Sequence, residues 1–347
     1  MELRDQQKKQ DILIKKTGAT YCLTGTIENS GKKLVLTIEL SSLLDRSVLW
    51  IDRIEGRIDD IHQLRSDVVN KVIGTLEIHV SAQEAKYARL KSPENLDAWS
   101  AYHLALEHVY RFSEHDNAVA IQLFERAVRL EPTFARAHAG LSFAQFQNAF
   151  KRYAGIDVAS TVKIVRASAE RSIELDRLDP FANFVMGRSC WLDGQPEDCL
   201  PWIKRAVAIN PNYAHGYYVQ GLAALMSNQS ENSEPEASMA ISISPLDPFL
   251  YGFYGIRAFS HIAQGNYQDA YIWADQSARQ PNAAPVMDLV ALAASSLAGS
   301  EQGVQYWVTR IRQQKQVMDG KYFFRALPFQ EGKIRNRIRQ ALAKYDL

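Results

Sequence analysis

The chain has little cysteine, almost no net charge and no long apolar run, and each shortage removes a class of protein. Three cysteines, Cys22, Cys190 and Cys199, are too few for a disulfide-stapled scaffold or a four-cysteine zinc site. Lys and Arg number 40 against 39 Asp and Glu. The basic surplus of a sequence-independent nucleic-acid binder is missing, so direct contact of this chain with nucleic acid is not expected. The stretch from Pro285 to Gly299 is broken by Asp288, Ser295 and Ser296 and is shorter than a bilayer span. The opening residues, Met1 to Lys9, hold no apolar secretion core. No membrane span and a cytoplasmic location are expected, with the cell envelope as the alternative if an anchor is missing upstream.

Catalytic patterns are lacking too. There is no Gly-rich phosphate loop and no Gly-x-Ser-x-Gly elbow. His103 and Glu107-His108 have the wrong spacing for a zinc-protease helix, and no third ligand is evident, so they are expected at the surface or in a groove. Glu114-His115-Asp116 reads as a helix start. Cys190 and Cys199 fall on paired helices, where small buried residues are the simpler reading than a redox pair. No enzyme, metal or cofactor is expected.

What is present is a chain of 347 residues, 46% hydrophobic and 23% charged. That length suggests a small domain plus a repeat array. Residues 5–16 read as a short helix stopped at Thr17-Gly18. Tyr21, Leu23, Gly25 and Ile27 alternate with polar neighbours, Asn29-Ser30-Gly31 turns, and Leu34, Leu36, Ile38 and Leu40 alternate again, which is a hairpin. A third strand is expected from Ser47 to Ile54. Asp59-Asp60 should cap a helix with apolar positions Ile61, Leu64, Val68, Val72 and Leu76. Such a thin sheet leaves an open edge.

Behind it the sequence repeats itself. From Pro180 to Pro211, Gly187 is the small residue of a first helix, Asp193-Gly194 turns, Cys199, Ile203 and Ala206 point inward from a second helix, and Pro211 closes the unit. One period later Gly221, Ala237, Ala240 and Pro245 occupy the positions of Gly187, Ile203, Ala206 and Pro211. A third unit carries Tyr251, Gly255, Gly265, Ala270, Ala274 and Ser277, with its proline, Pro281, about two residues late for a 34-residue repeat. Upstream, Trp99, Tyr102 and Leu106 pair with Ala120, Phe124, Ala127 and Pro132. Another unit runs from Phe134 to Asp176, with an insertion around Tyr153-Ala154-Gly155. Ala291, Gly299, Val304, Val308 and Ile311 mark a degenerate last unit. The helix Gly332 to Tyr345, basic through Lys333, Arg335, Arg337, Arg339 and Lys344, should cap the stack. The expected fold is mainly α: a tetratricopeptide-type α-solenoid preceded by a small α/β domain. Its parts are the α/β domain over 1–80, about six repeat units over 94–324 and a capping segment over 325–347.

The stretches Gly18 to Ile27, Leu34 to Leu40, Leu49-Trp50 and Asp60 to Leu64 resemble the later half of a TolB N-terminal-like domain. That domain precedes tetratricopeptide repeats in bacterial winged-helix regulators and adenylate cyclases. Ala118 to Pro132 and Phe134 to Leu141 also resemble that group. The resemblance implies a sensing or protein-docking role and transfers no catalytic residue. The family's earlier strand is absent here, so the chain resembles the back part of such a regulator, a shortened homologue, or the product of a misplaced start.

The site expected from the repeats is their hollow. Helical spacing aims residues on either side of the small residue of each first helix inward. These are Phe184, Arg188 and Trp191, then Tyr218, Leu222 and Leu225, then Ile256 and Phe259, with Phe253 in place of Gly252. Such a lining suits an apolar or aromatic peptide segment, with Arg188 on a carboxylate or carbonyl. Alternatively, these side chains pack against a tightly wound superhelix or the α/β segment. The expected partner is a protein or peptide, and a homo-oligomer is compatible. The alternative function is the sensory half of a transcription regulator or adenylate cyclase whose effector domain lies elsewhere. Alanine at Trp191 and Phe259 should then abolish capture and leave helicity intact.

Overall fold

A computed structural model describes residues 16–151, 153, 157–229, 233–245, 247–281, 283–314 and 317–347. The expected helix over 5–16 lies almost wholly outside the described residues, as do Ala154 and Gly155 of the expected insertion. The chain divides into two compact units, Met1–Lys86 and Tyr87–Leu347.

In the first unit, β1 (Tyr21–Ser30), β2 (Lys33–Ser42) and β3 (Val48–Arg57) form an antiparallel meander in the order β1-β2-β3. Gly31, at φ +65°, makes the tight reversal between β1 and β2. The register aligns Leu23, Leu40 and Trp50 across the sheet, and Ile27, Leu36 and Ile54. Helix α1 (Ile61–Arg89) follows. Leu64 lies so close to Gly56 that a Cβ there would come within 2.9 Å of it. Lys71 pairs with Asp52 at 2.6 Å, and the Tyr21 hydroxyl donates to Glu84 at 2.7 Å. Asp59 and Asp60, expected to cap this helix, immediately precede it. They sit in a short 3-10 turn, where Asp59 takes Arg57 at 3.4 Å. Among the described residues β1 has a strand on one side only, and its Leu23 and Ile27 are exposed.

The second unit is a succession of helical hairpins. The pairs are α2 (Ala98–Val109) with α3 (Glu114–Leu130), α4 (Ala135–Lys151) with α5 (Val158–Leu175), and α6 (Pro180–Leu192) with α7 (Cys199–Ile209). Then come α8 (Ala214–Met226) with α9 (Ser233–Ile243), α10 (Leu250–Gln264) with α11 (Tyr267–Ala278), and α12 (Val286–Ala298) with α13 (Glu301–Arg312). The short α14 (Gly320–Ala326) and α15 (Lys333–Ala343) end the chain. This is a tetratricopeptide-type α-solenoid.

Local chemistry opens and closes these helices. Asp97, Ser113, Asp157, Asp179 and Ser300 each accept a backbone N–H from the first turn that follows. Gly265 and Gly299 end α10 and α12 in the left-handed conformation that a side chain resists. The small residues let helices approach. A Cβ on Gly187 would stand 2.7 Å from Ile203, and one on Gly140 would stand 2.2 Å from Phe124. Each helix packs on the next, and first helices also touch first helices of neighbouring hairpins, so one core of apolar side chains runs through the stack.

Candidate functional site

The first helices carry the inner face of the stack, and that face is filled by the chain itself. All nine residues expected to line a groove are buried, none more than 5% exposed. Phe184, Arg188 and Trp191 share one aromatic assembly. The Arg188 guanidinium carbon lies 5.4 Å from the Phe184 ring centre, 6.0 Å from that of Trp191 and 3.7 Å from that of Phe146 on α4. Phe249, at the head of α10, closes on the same guanidinium at 5.7 Å and on Tyr218 at 5.8 Å. Tyr218 meets Phe253 at a tilt, with ring centres 5.6 Å apart. Leu222, Leu225 and Ile256 are buried on the same helices, α8 and α10. Phe259, nearer the end of α10, belongs to a separate cluster with Phe323 and Phe329.

Two features close this interior. The first is tight winding: Phe112, in the loop of the first hairpin, meets Phe249 of the fifth at 4.8 Å and Tyr251 at 6.2 Å. Lys151 and Tyr153 both donate to the Phe112 carbonyl, at 3.0 and 2.8 Å. The second is the segment 318–332, a strap that returns along the ends of the first helices. Its Ala326 carbonyl accepts the Trp191 indole N–H at 2.9 Å. The Gln330 N–H donates to Met226, and its side chain to Glu197, both at 2.8 Å. The Glu331 carbonyl accepts from Asn228 at 3.0 Å. Helix α15 then runs forward again, with Arg337 on the Ile262 and Ala263 carbonyls and Tyr345 on Ser296. Of the basic residues of α15, Arg337 thus binds backbone of the array, and Arg335 and Arg339 pair with Glu331 of the strap at 3.0 and 2.8 Å, while Ile334, Ile338 and Leu342 are buried.

The other polar candidates resolve individually. His103 is not a surface or groove residue. It is 4% exposed, between Trp99 and Tyr102, and neither ring nitrogen has a partner. Burial, and then the charge of Arg136, push its pKa down to about 4. His108 instead meets Asp116 at 2.8 Å. Asp116 is held near pKa 2 by the Ser113 hydroxyl and then by His108. Cys190 and Cys199 are buried free thiols, and burial raises the Cys199 pKa. Among the described residues no group of three or more His, Cys, Asp or Glu is placed to hold a metal ion, and no helix is long and apolar enough to cross a membrane.

Sequence reasoning missed Phe143, Phe146, Gln147 and Lys151 of α4 and the strap. The aromatic spacing of α4 was a usable signal, because Phe143, Phe146 and Phe150 recur at helical intervals on one side.

No family model matches the chain. A protein named putative adenylate cyclase 3, of Rhizobium meliloti (strain 1021), is 18% identical over 188 residues, which are 54% of this chain and 30% of that one. The chain thus spans less than a third of the length of this curated relative. Among solved structures, PilW, a widely conserved type IV pilus biogenesis factor, is 12% identical with a TM-score of 0.46, covering 63% of this chain and 96% of its own. A thermophilic tetratricopeptide repeat protein of Thermus thermophilus is 14% identical with a TM-score of 0.42, covering 61% and 97%. The Pseudomonas aeruginosa protein pilF is 12% identical with a TM-score of 0.44, covering 62% and 90%. At such TM-scores the likeness carries no argument about function.

Proposed function

We propose that the chain is a non-catalytic protein-binding module, a scaffold or sensor of a bacterial regulatory system, that grips aromatic peptide segments on the inner face of its helical stack. The observation that supports this is the strap. Residues 318–332 lie on the inner helices as a peptide ligand would, anchored by Phe323 and Phe329 against Phe259 and by a backbone carbonyl on Trp191. On this reading the strap occupies the place of a ligand at Trp191 and Phe259, while Phe112 and Phe249 meet farther along the same face. A partner with similar aromatic spacing would compete with the strap for Trp191 and Phe259.

The test is binding of a labelled peptide of sequence 317–331 to the full chain. Replacing Phe323 and Phe329 by alanine loosens the strap and should tighten peptide binding by about tenfold or more over the unmodified chain. Adding Trp191→Ala should remove that gain. A loosened, folded chain that ignores the peptide rules the reading out.

A second reading is the sensory part of an adenylate cyclase or transcription regulator. The match to the named putative cyclase favours it, and transfers no chemistry over the part of that protein it leaves uncovered. Fusing or co-expressing the chain with a cyclase domain and measuring cyclic AMP with and without a bound partner would separate a sensor from a passive scaffold.

A further inference from the structure

We propose that a cavity under the strap takes a short aliphatic monocarboxylate, its tail between strap and array and its carboxylate on Arg325, and that this ligand clamps the strap shut. The clamp would regulate the proposed peptide site, and to that extent rests on the reading of the strap as an occupant of that site. The cavity itself does not depend on it.

The cavity has a volume of about 50 Å³. One wall belongs to the array: Ala149 and Phe150 in the last turn of α4, Val158 and Val162 at the start of α5, and Leu192 at the end of α6. The other wall is α14 of the strap, through Tyr322, Arg325 and Ala326. Phe150 meets Trp191 with ring centres 5.6 Å apart, and the Ala326 carbonyl accepts the Trp191 indole N–H. The space therefore adjoins the bond that anchors the strap. One water fills about 10–15 Å³, so there is room for about three to five carbon-sized groups. A water there would need two or more polar partners. Apart from the Tyr322 hydroxyl and the Arg325 guanidinium, the lining side chains are hydrocarbon. Water is a poor occupant of such a space and a short apolar tail a good one.

Arg325 is exposed, and Val158, Val162 and Leu192 are half-buried, so the cavity reaches the surface. Among the described residues no acid is paired with Arg325. Glu331 of the same strap is taken by Arg335 and Arg339, and Asp193, next to Leu192 in the chain, by Arg166. A single cation at the mouth of a hydrocarbon space is complementary to a monoanion with a short apolar tail. Both walls are needed to enclose that tail. When the strap lifts, Tyr322, Arg325 and Ala326 leave with it, and only the array wall remains. The ligand therefore favours the closed strap and shifts the balance toward closure by its differential affinity. By the reciprocity of linkage, it opposes any partner that displaces the strap from Trp191 and Phe259 without rebuilding its wall.

The experiment is titration of the full chain with butyrate, isovalerate and isovaleramide, read by calorimetry and by amide hydrogen exchange of residues 319–330, with acetate and sulfate as controls. The expected result is that butyrate or isovalerate binds with a Kd of about a millimolar, and that isovaleramide binds about threefold or more weakly than isovalerate. The N–H groups of Phe323 and Leu327, bonded to the Asp319 and Phe323 carbonyls, should exchange more slowly with the acid bound. Acetate, which has no tail to fill the cavity, and sulfate should have neither effect. Arg325→Gln, at an exposed position, should remove the difference between isovalerate and its amide. Val162→Phe, which puts a ring into the space, should abolish binding; if that variant does not fold, the Arg325→Gln comparison decides. No binding by either acid, equal binding of isovalerate and its amide, or binding with unchanged strap exchange overturns the proposal. Acid binding that slows strap exchange, in a chain whose loosened form ignores the labelled 317–331 peptide, refutes the peptide reading alone. Peptide binding by the loosened form with no acid binding to the unmodified chain refutes this proposal alone.

Discussion

The indole Nε1 of Trp191 donates to the Ala326 carbonyl at 2.9 Å, across 135 residues of sequence. That bond joins the third hairpin to the C-terminal strap and makes Trp191 part of the core, at 2% exposure. It changes what substitution there should do. Trp191→Phe keeps a ring but strands a buried carbonyl, and should lower stability by about 1–3 kcal/mol. Trp191→Ala also opens a cavity and should cost about 3–5 kcal/mol. Urea unfolding followed by circular dichroism reads both. An alanine variant as stable as the parent would mean that the ring is not packed as described.

Gly140 and Gly255 should answer alanine differently. At Gly140 the new Cβ would fall 2.2 Å from a carbon of the fully buried Phe124 ring. Gly140→Ala should destabilise by about 2 kcal/mol or more through overpacking. At Gly255 the nearest atom, the Met287 sulfur, stands 3.4 Å away. There the better helix propensity of alanine, worth up to about 1 kcal/mol, should leave the chain unchanged or slightly more stable. Thermal melts of the two variants compare them directly.

Lys151 gives stability a pH slope of known sign. Burial pulls its pKa from 10.5 down to about 7. Between those values the unfolded chain holds the proton and the folded chain releases it, so the unfolded state binds more protons and the Lys151 contribution rises with pH. Relative to Lys151→Met, the parent should gain about 2 kcal/mol from about pH 7 to about pH 9. His103 acts in a lower window. Its pKa falls from 6.5 to about 4 on folding, so the stability present above 6.5 is lost as pH falls through 4. Denaturation midpoints across the two ranges, parent against variant, check both; a flat difference for Lys151 would place its ammonium in water.

The thiols should separate by burial. Cys199 is fully buried, Cys190 is 5% exposed, and Cys22 is only half-buried. A maleimide should therefore modify Cys22 first in the native chain and reach the other two only as the helices unfold. Peptide mapping of labelled sites against time measures this. Fast native labelling of Cys199 would contradict the packing of α6 on α7.

How much of this was legible differs from residue to residue. The hairpins from Gly187 to Pro245 could be read because close helix contact demands small residues at fixed intervals, and Gly187 against Ile203 shows that demand. The strands could be read from alternation. The fate of the inner face could not. Its burial depends on Phe112 reaching Phe249 through the winding of the stack, and on a strap whose residues carry no repeat period. The sequence puts His103 at the surface or in a groove because it lacks metal-ligand spacing and a third ligand, whereas Trp99 and Tyr102 cover it.

The filled interior is best tested by hydroxyl-radical footprinting of the native chain, read residue by residue. Trp99, 47% exposed, serves as the internal standard for an open aromatic side chain. The account predicts rapid oxidation of Trp99 and strong protection of Trp191, Phe253 and Phe259 until the chain unfolds. Oxidation of Trp191 and Phe259 at the rate of Trp99 would show an open, unoccupied hollow and contradict it.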